Sequence, residues 1–356
     1  MTKPRARDLG IPFEGAPATH NAITDVDGVE VGYTTLIAGE AVRTGVTIVH
    51  PRGKVSHAPV FAGWHALNGN GEMTGTAWIE EGGFIEGAIG LTNTHSVGIV
   101  RDSIIAWEVE HEALVQRWSM PVVAETADGW LNDMNAFHVQ PGHTRSALNE
   151  ARGGPLAEGN VGGGTGMVCF GFKGGTGTAS RRLPDSAGGY TLGALVQANY
   201  GRRAELMIAG VPAGKHLLEY APFAPHQPHD GQGSLVAVIA TDAPLLPHQL
   251  RRLARRGGLG MARTGGMASN SSGDLFVAFS TANPDAGAHT PLVNLTAVPN
   301  ERMDPLMHAA TYAVEEAILN ALVRAETMTG RAGLTAAAMP HAEVQDVLRR
   351  YGRLEA

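Results

Sequence analysis

Two unbroken apolar runs, SLVAVIATD at 234–242 and DLFVAFSTA at 274–282, constrain the fold more than any other part of this chain. A strand with one wet face alternates apolar and polar residues, whereas a strand without alternation has to be covered on both faces. Both runs have strand length, and between them PHQLRRLARRGGLGMA is helical at least in its first half. The chain must therefore hold a sheet between two other layers. Covering helices are legible elsewhere. Ile104, Trp107, His111, Leu114 and Trp118 recur at three and four residues and predict a helix from 97 to 118. Leu306, Met307, Ala310, Val314, Ala317, Ile318 and Ala321 form one stripe of a helix over 303–325, and a shorter helix is predicted at 341–350. Strands and helices alternate without a regular βαβ rhythm, so a layered α+β body is expected rather than a doubly wound sheet.

Other segments are less regular. Asp27-Gly28 inside ITDVDGVEVGY reads as a hairpin turn, followed by a further strand, TGVTIVHP. Glycine makes up 47 of 356 residues, well above the usual share of about 7%. Its density between Phe61 and Asn93 predicts loops or very short strands. PVVAET and MVCFGF read as strands, and TLGALVQANYG and AELMIAGV as a strand pair around Gly201-Arg202-Arg203. Pro212 to Gly233 holds Pro222, Pro225, Pro228, His226 and His229 and is either a linker or a presenting loop.

Several functions are disfavoured. With 27 basic and 34 acidic residues the net charge is −7, which argues against a nucleic-acid surface. The arginines at 251, 252, 255 and 256 then read as a solvated helix face. No apolar run follows Lys3, Arg5 and Arg7, and none reaches membrane-spanning length. With a single cysteine, this reads as a cytoplasmic chain without membrane partners. GGGTGMVCFGFKGG misses both phosphate-loop spacings, because Met167 or Cys169 falls where the last glycine should stand. Cys169, between Val168 and Phe170, reads as core. The fifteen histidines have no metal-ligand spacing.

What stands out chemically is Gly233-Ser234. A glycine ends the proline- and histidine-rich segment, and a serine opens a fully apolar strand. Glycine tolerates the strained backbone that a serine needs to attack its own preceding carbonyl. Cleavage there would leave Ser234 as a chain start carrying both a hydroxyl and an α-amine. At about pH 7.4, with a pKa near 7.7–8.0, roughly a quarter of that amine is neutral, against roughly 0.1% of an ordinary lysine. It can serve as general base for its own hydroxyl.

The chain also resembles the self-processing serine aminopeptidases of the L-aminopeptidase/D-esterase (DmpA-type) family, which includes the β-peptidyl aminopeptidases. The matching segments are RARDLGIPFEG, NAITDVDGVEVGY, NGNGEMTG, LTNTHSVG, VVAETADGWLND, VGGGTGMVCFGFKGGTGTASR, QANYGRR, GSLVAVIATDAPLLPHQL and SNSSGDLFVAFSTAN. They run in family order over most of the chain. The resemblance implies a four-layer αββα sandwich like that of the ornithine acetyltransferases, as one peptidase domain of residues 1–356 cut into 1–233 and 234–356. It implies hydrolysis of amino-terminal residues from small peptides, amides or esters, with no cofactor or metal, by a homo-oligomer of four subunits or more. The family's cleavage site and nucleophile fall on Gly233 and Ser234. Its second serine falls on Ser272, its acid on Asp274, its oxyanion asparagine on Asn199 and its amine-binding glutamate on Glu125. Two departures stand out. Asp274 replaces the family's glutamate, so its orienting contact is expected to be weaker or water-bridged. Ala127 stands where some members carry a tyrosine that serves the oxyanion.

Each residue has a plainer reading. Ser269, Ser271 and Ser272 suit a turn, as does Asn199 before Tyr200-Gly201; Glu125 suits a solvated strand end. Asn68 and Glu72 either line an amine pocket or shape a loop, and Trp64, Trp78 and Trp130 either wall a side-chain pocket or pack as core. The rival functions are an acyltransferase of the ornithine-acetyltransferase type, whose chain start is threonine, and a binding protein that keeps the fold.

Overall fold

The computed structural model describes residues 3–219 and 233–354. In chain order its main strands are β1 (Glu30–Ala38), β2 (Val42–His50), β3 (Val60–Gly69), β4 (Phe84–Ile85), β5 (Ile89–Thr92) and β6 (Val122–Glu125). There follow β7 (Val168–Cys169), β8 (Phe172–Lys173), β9 (Gly175–Arg182), β10 (Thr191–Asn199), β11 (Ser234–Thr241) and β12 (Gly273–Ser280). The α-helices are α1 (Thr76–Gly82), α2 (Val97–Glu110), α3 (Pro141–Glu150), α4 (Pro247–Ala254), α5 (Arg256–Arg263), α6 (Asp304–Arg324) and α7 (His341–Arg350).

Two sheets, ordered β1-β2-β5-β6 and β4-β3-β12-β11-β10-β9, face each other. Helices α2 and α3 cover the outside of the first, and α4, α5 and α6 the outside of the second. This is a four-layer αββα sandwich. The two continuous apolar runs are neighbouring, parallel strands in the middle of the larger sheet. On β11, Leu235, Ala237 and Ile239 face the helices, while Val236, Val238 and Ala240 face the other sheet. On β12, Phe276 and Ala278 face the helices, and Leu275, Val277 and Phe279 the sheet. Double coverage leaves neither strand a wet face between its ends, which is why neither run alternates. Part of the glycine surplus serves these contacts: a Cβ at Gly177 of β9 would lie 2.0 Å from the Ala317 carbonyl of α6.

Five local expectations change. Asp27-Gly28 turns the chain into β1 after a 3-10 turn at Ile23–Asp25, and the hairpin joins β1 to β2 instead. The helix from 97 stops at Glu110, so Leu114 and Trp118 lie beyond it. The glycine-rich stretch holds the ten-residue β3 and helix α1, because glycine there allows close packing rather than breaking the ladder. AELMIAGV does not pair with β10; it folds as a 3-10 turn and one isolated bridge. The long antiparallel β11 is the better partner for β10. MVCFGF, read as one strand, is the small β7–β8 hairpin.

Candidate active site

The ends of three central strands meet at Ser234. It is the first residue of β11 and pairs with Asn199, the last of β10. On its other side, Gly273 opens β12 and donates its N–H to Ser234 Oγ at 2.9 Å. Ser234 is buried. The residue before it has no room for a side chain. Gly233 has φ +152°, and a Cβ there would lie 1.8 Å from the Asn199 carbonyl oxygen and 3.2 Å from its Nδ2.

Ser272, one residue ahead of β12, holds its Oγ 2.5 Å from the Gly233 carbonyl oxygen and 2.8 Å from Asp274 Oδ1. One hydroxyl proton thus stands between two acceptors, the carbonyl of the Gly233–Ser234 link and a carboxyl. Asp274 is fully buried, and its Oδ1 also accepts the Leu235 N–H at 3.0 Å. Burial raises its pKa, against the two hydrogen bonds. The contact to Ser272 is direct. The shorter side chain reaches it because Ser272 and Asp274 flank Gly273 at the strand start, correcting the expectation of a weakened or bridged contact.

The Asn199 amide is fixed at both ends. Its Oδ1 accepts the Val168 N–H at 2.8 Å and its Nδ2 donates to the Ala127 carbonyl at 2.9 Å. One Nδ2 hydrogen remains, beside Gly233. Ala127, where the tyrosine is missing, contributes a main-chain acceptor instead.

Glu125 ends β6 in the opposite sheet, yet it reaches the same place. A Cβ at Gly71 would sit 3.2 Å from Glu125 Oε1 and 3.0 Å from the Cα of Gly273. Only 3% of Glu125 is exposed, which rules out the solvated reading. Its oxygens accept the Glu72 N–H at 3.1 Å and the Thr94 hydroxyl. Burial raises its pKa, and those two donors oppose the rise.

Of the supports around these groups, sequence reasoning offered Asn68 and Glu72 and missed Asn70 and Thr94. Asn68 donates to the Ser269 carbonyl at 2.5 Å and Asn70 to that of Ser271 at 2.8 Å, so NGNG shapes the loop that carries Ser272. Glu72 is exposed and contributes its N–H. Thr94 had no signal beyond its place in LTNTHSVG. Among the aromatics, Trp78 donates to Glu86 at 3.0 Å, and Trp130 packs against a small cluster around Leu131. Cys169 is fully buried, its thiol pushed up to about 12 by burial. Arg251 pairs with Glu80 on an exposed face. Among the described residues no group of three His, Cys, Asp or Glu side chains is placed to hold a metal, and no helix is long and apolar enough to cross a membrane. His226 and His229 lie outside the described residues.

The sequence matches peptidase family S58 over residues 21–336. It is 52% identical to the beta-peptidyl aminopeptidase BapA of Sphingosinicella microcystinivorans, over 99% of this chain and 94% of that protein. It is 46% identical to the BapA of Sphingosinicella xenopeptidilytica, over 98% and 92%. Among solved structures, the L-aminopeptidase D-Ala-esterase/amidase of Ochrobactrum anthropi, described as a prototype serine aminopeptidase with a variant Ntn hydrolase fold, superposes with a TM-score of 0.92. That match has 48% identity and covers 99% of this chain and 100% of that one. A Burkholderia sp. beta-aminopeptidase gives 0.90 at 49% identity, over 98% and 99%. With the strand-end serine, its buried partners and these matches together, the chain belongs to peptidase family S58 and is a serine aminopeptidase.

Proposed function

We propose that the chain cuts itself between Gly233 and Ser234 and that the freed Ser234 then hydrolyses amino-terminal residues from small peptides, amides or esters. The observation that carries this reading is the Ser272 hydroxyl 2.5 Å from the Gly233 carbonyl oxygen, next to a serine whose Oγ is itself held by the Gly273 N–H. In the first stage Ser234 Oγ attacks the Gly233 carbonyl carbon. Ser272 donates to the oxygen as it gains charge, with Asp274 behind it. The C–N bond breaks as the Ser234 nitrogen takes up a proton, leaving an ester on Oγ. Water cleaves this ester into a Gly233 carboxylate and a free Ser234 amine, giving fragments 1–233 and 234–356 that stay together as one domain.

In the second stage the Ser234 amine takes the hydroxyl proton as Oγ attacks the substrate carbonyl. The free Nδ2 hydrogen of Asn199 serves the oxyanion, and Ser272 and Asp274 orient the nucleophile and pass protons. Glu125 pairs with the substrate ammonium, whose charge restores the ionisation that burial opposes. The beta-peptidyl relatives support acceptance of β-amino acids at this amine end. We place the enzyme in the cytoplasm, as the lone cysteine suggests, and as a homo-oligomer of four subunits or more. Replacing Ser234 by alanine tests the reading: one full-length band and no release from L-alanine p-nitroanilide are expected. Two bands from that variant would overturn it.

A further inference from the structure

We propose that Lys173 is a positioning residue for the reaction: through the β7–β8 hairpin it fixes which end of the Asn199 amide faces the Gly233–Ser234 link. The proposal rests on Asn199 serving as the oxyanion donor.

Lys173 is fully buried and pairs with Val168 in the hairpin ladder. Its Nζ donates to the Gly174 carbonyl at 2.9 Å and to the Gly164 carbonyl at 3.4 Å, while its own N–H donates to the Ala337 carbonyl at 2.7 Å. Gly164 belongs to the triple-glycine turn at Gly162–Gly164, and the Gly174 N–H returns to the Met167 carbonyl at 2.9 Å. The side chain therefore ties the hairpin base to that turn. The residue facing it, Val168, supplies the N–H that holds Asn199 Oδ1.

That bond decides the chemistry at the other end of the amide. With Oδ1 on Val168, Nδ2 points to Ala127 and Gly233, and a donor meets the oxyanion. Turned over, the amide would present its oxygen to a developing negative charge. The two ends are nearly isosteric, so only their partners select the orientation.

Lys173 is a poor choice for stability alone. Burial lowers its pKa to about 7, and among the described residues no carboxylate pairs with it. A buried amine without a counter-charge costs folding free energy, and a methionine of similar length would fill the space. Two N–H groups for two carbonyls are available from amine and ammonium alike, so the tie holds in either form.

The experiment uses the full chain with Lys173→Met, Asn199→Ala and the double variant. Self-cleavage is followed by intact mass, and kcat and KM by release from L-alanine p-nitroanilide. Lys173→Met should slow self-cleavage and lower kcat by about 10–100-fold with KM within about twofold. In the Asn199→Ala background the same change should cost less than about twofold, because the group it positions is gone. Multiplying losses would overturn the proposal. Should the methionine variant fail to fold, Lys173→Gln, which keeps two N–H donors, goes through the same cycle and should lose less. A slow Asn199→Ala beside Lys173 variants at the parent rate would refute the role of Lys173 alone; an Asn199→Ala at the parent rate would refute the oxyanion reading and this proposal with it.

Discussion

Replacing Ser272 by alanine removes one hydroxyl and two hydrogen bonds, at 2.5 Å to the Gly233 carbonyl and 2.8 Å to Asp274. The first of these faces the oxygen that gains charge when Ser234 attacks. A preorganised donor at such a position is worth about 2.7–4 kcal/mol of barrier, and each 1.36 kcal/mol is about tenfold in rate. Self-cleavage should slow by about 100–1,000-fold. The folded state loses less, since Asp274 Oδ1 keeps the Leu235 N–H and a net hydrogen bond is worth about 1 kcal/mol. Purified precursor would be sampled over time, with intact mass reporting the fraction cut and a thermal melt reporting stability. A Ser272→Ala chain that cuts itself at the parent rate while folded refutes the argument that this hydroxyl serves the scissile carbonyl.

Two further outcomes follow from the same geometry. Gly233→Ala places a methyl where the Asn199 carbonyl stands 1.8 Å away and forces φ +152° on a residue that avoids it; the chain should be uncut on a denaturing gel and melt earlier, and normal processing would contradict the packing argument. Glu125→Gln should raise KM for L-alanine p-nitroanilide by about 10–100-fold by removing a charge partner of the ammonium. The sign with pH is fixed: the carboxylate must be ionised to bind a cation, and burial raises its pKa, so the parent's KM should climb as pH falls from a point above the ordinary glutamate range. The glutamine variant should lack that acid rise, and a KM indifferent to the substitution would remove Glu125 from the amine site.

Wherever the fold was legible from local sequence, one element's own pattern carried the information. The runs at 234 and 274 read as doubly covered strands because a strand's two faces are recorded residue by residue. The 303–325 stripe read as a helix for the analogous reason, and α6 spans Asp304–Arg324. Where a segment depended on its partner, local reading failed. AELMIAGV is apolar enough for a strand, but β10 already has β9 and β11 on its two edges. The helix from 97 ends at Glu110, with Glu112 in a left-handed conformation just beyond it, although the apolar spacing continues to Trp118.

The site divides in the same way. Gly233-Ser234 stands out in sequence because both its residues are adjacent, and backbone freedom beside a hydroxyl is a local property. Residue order alone does not bring Asn199, Ser272 and Asp274 to that serine; the resemblance assigned them, and the pairing of three strand ends assembles them. Glu125 is the sharpest case, since it lies in the opposite sheet and reaches Gly273 only across the gap that Gly71 leaves open. The sequence by itself determined which groups were available and which strand had to be buried. Tertiary structure decided which hydroxyl proton faces which carbonyl, because hydrogen-bond geometry is set by the packing of segments far apart in the chain.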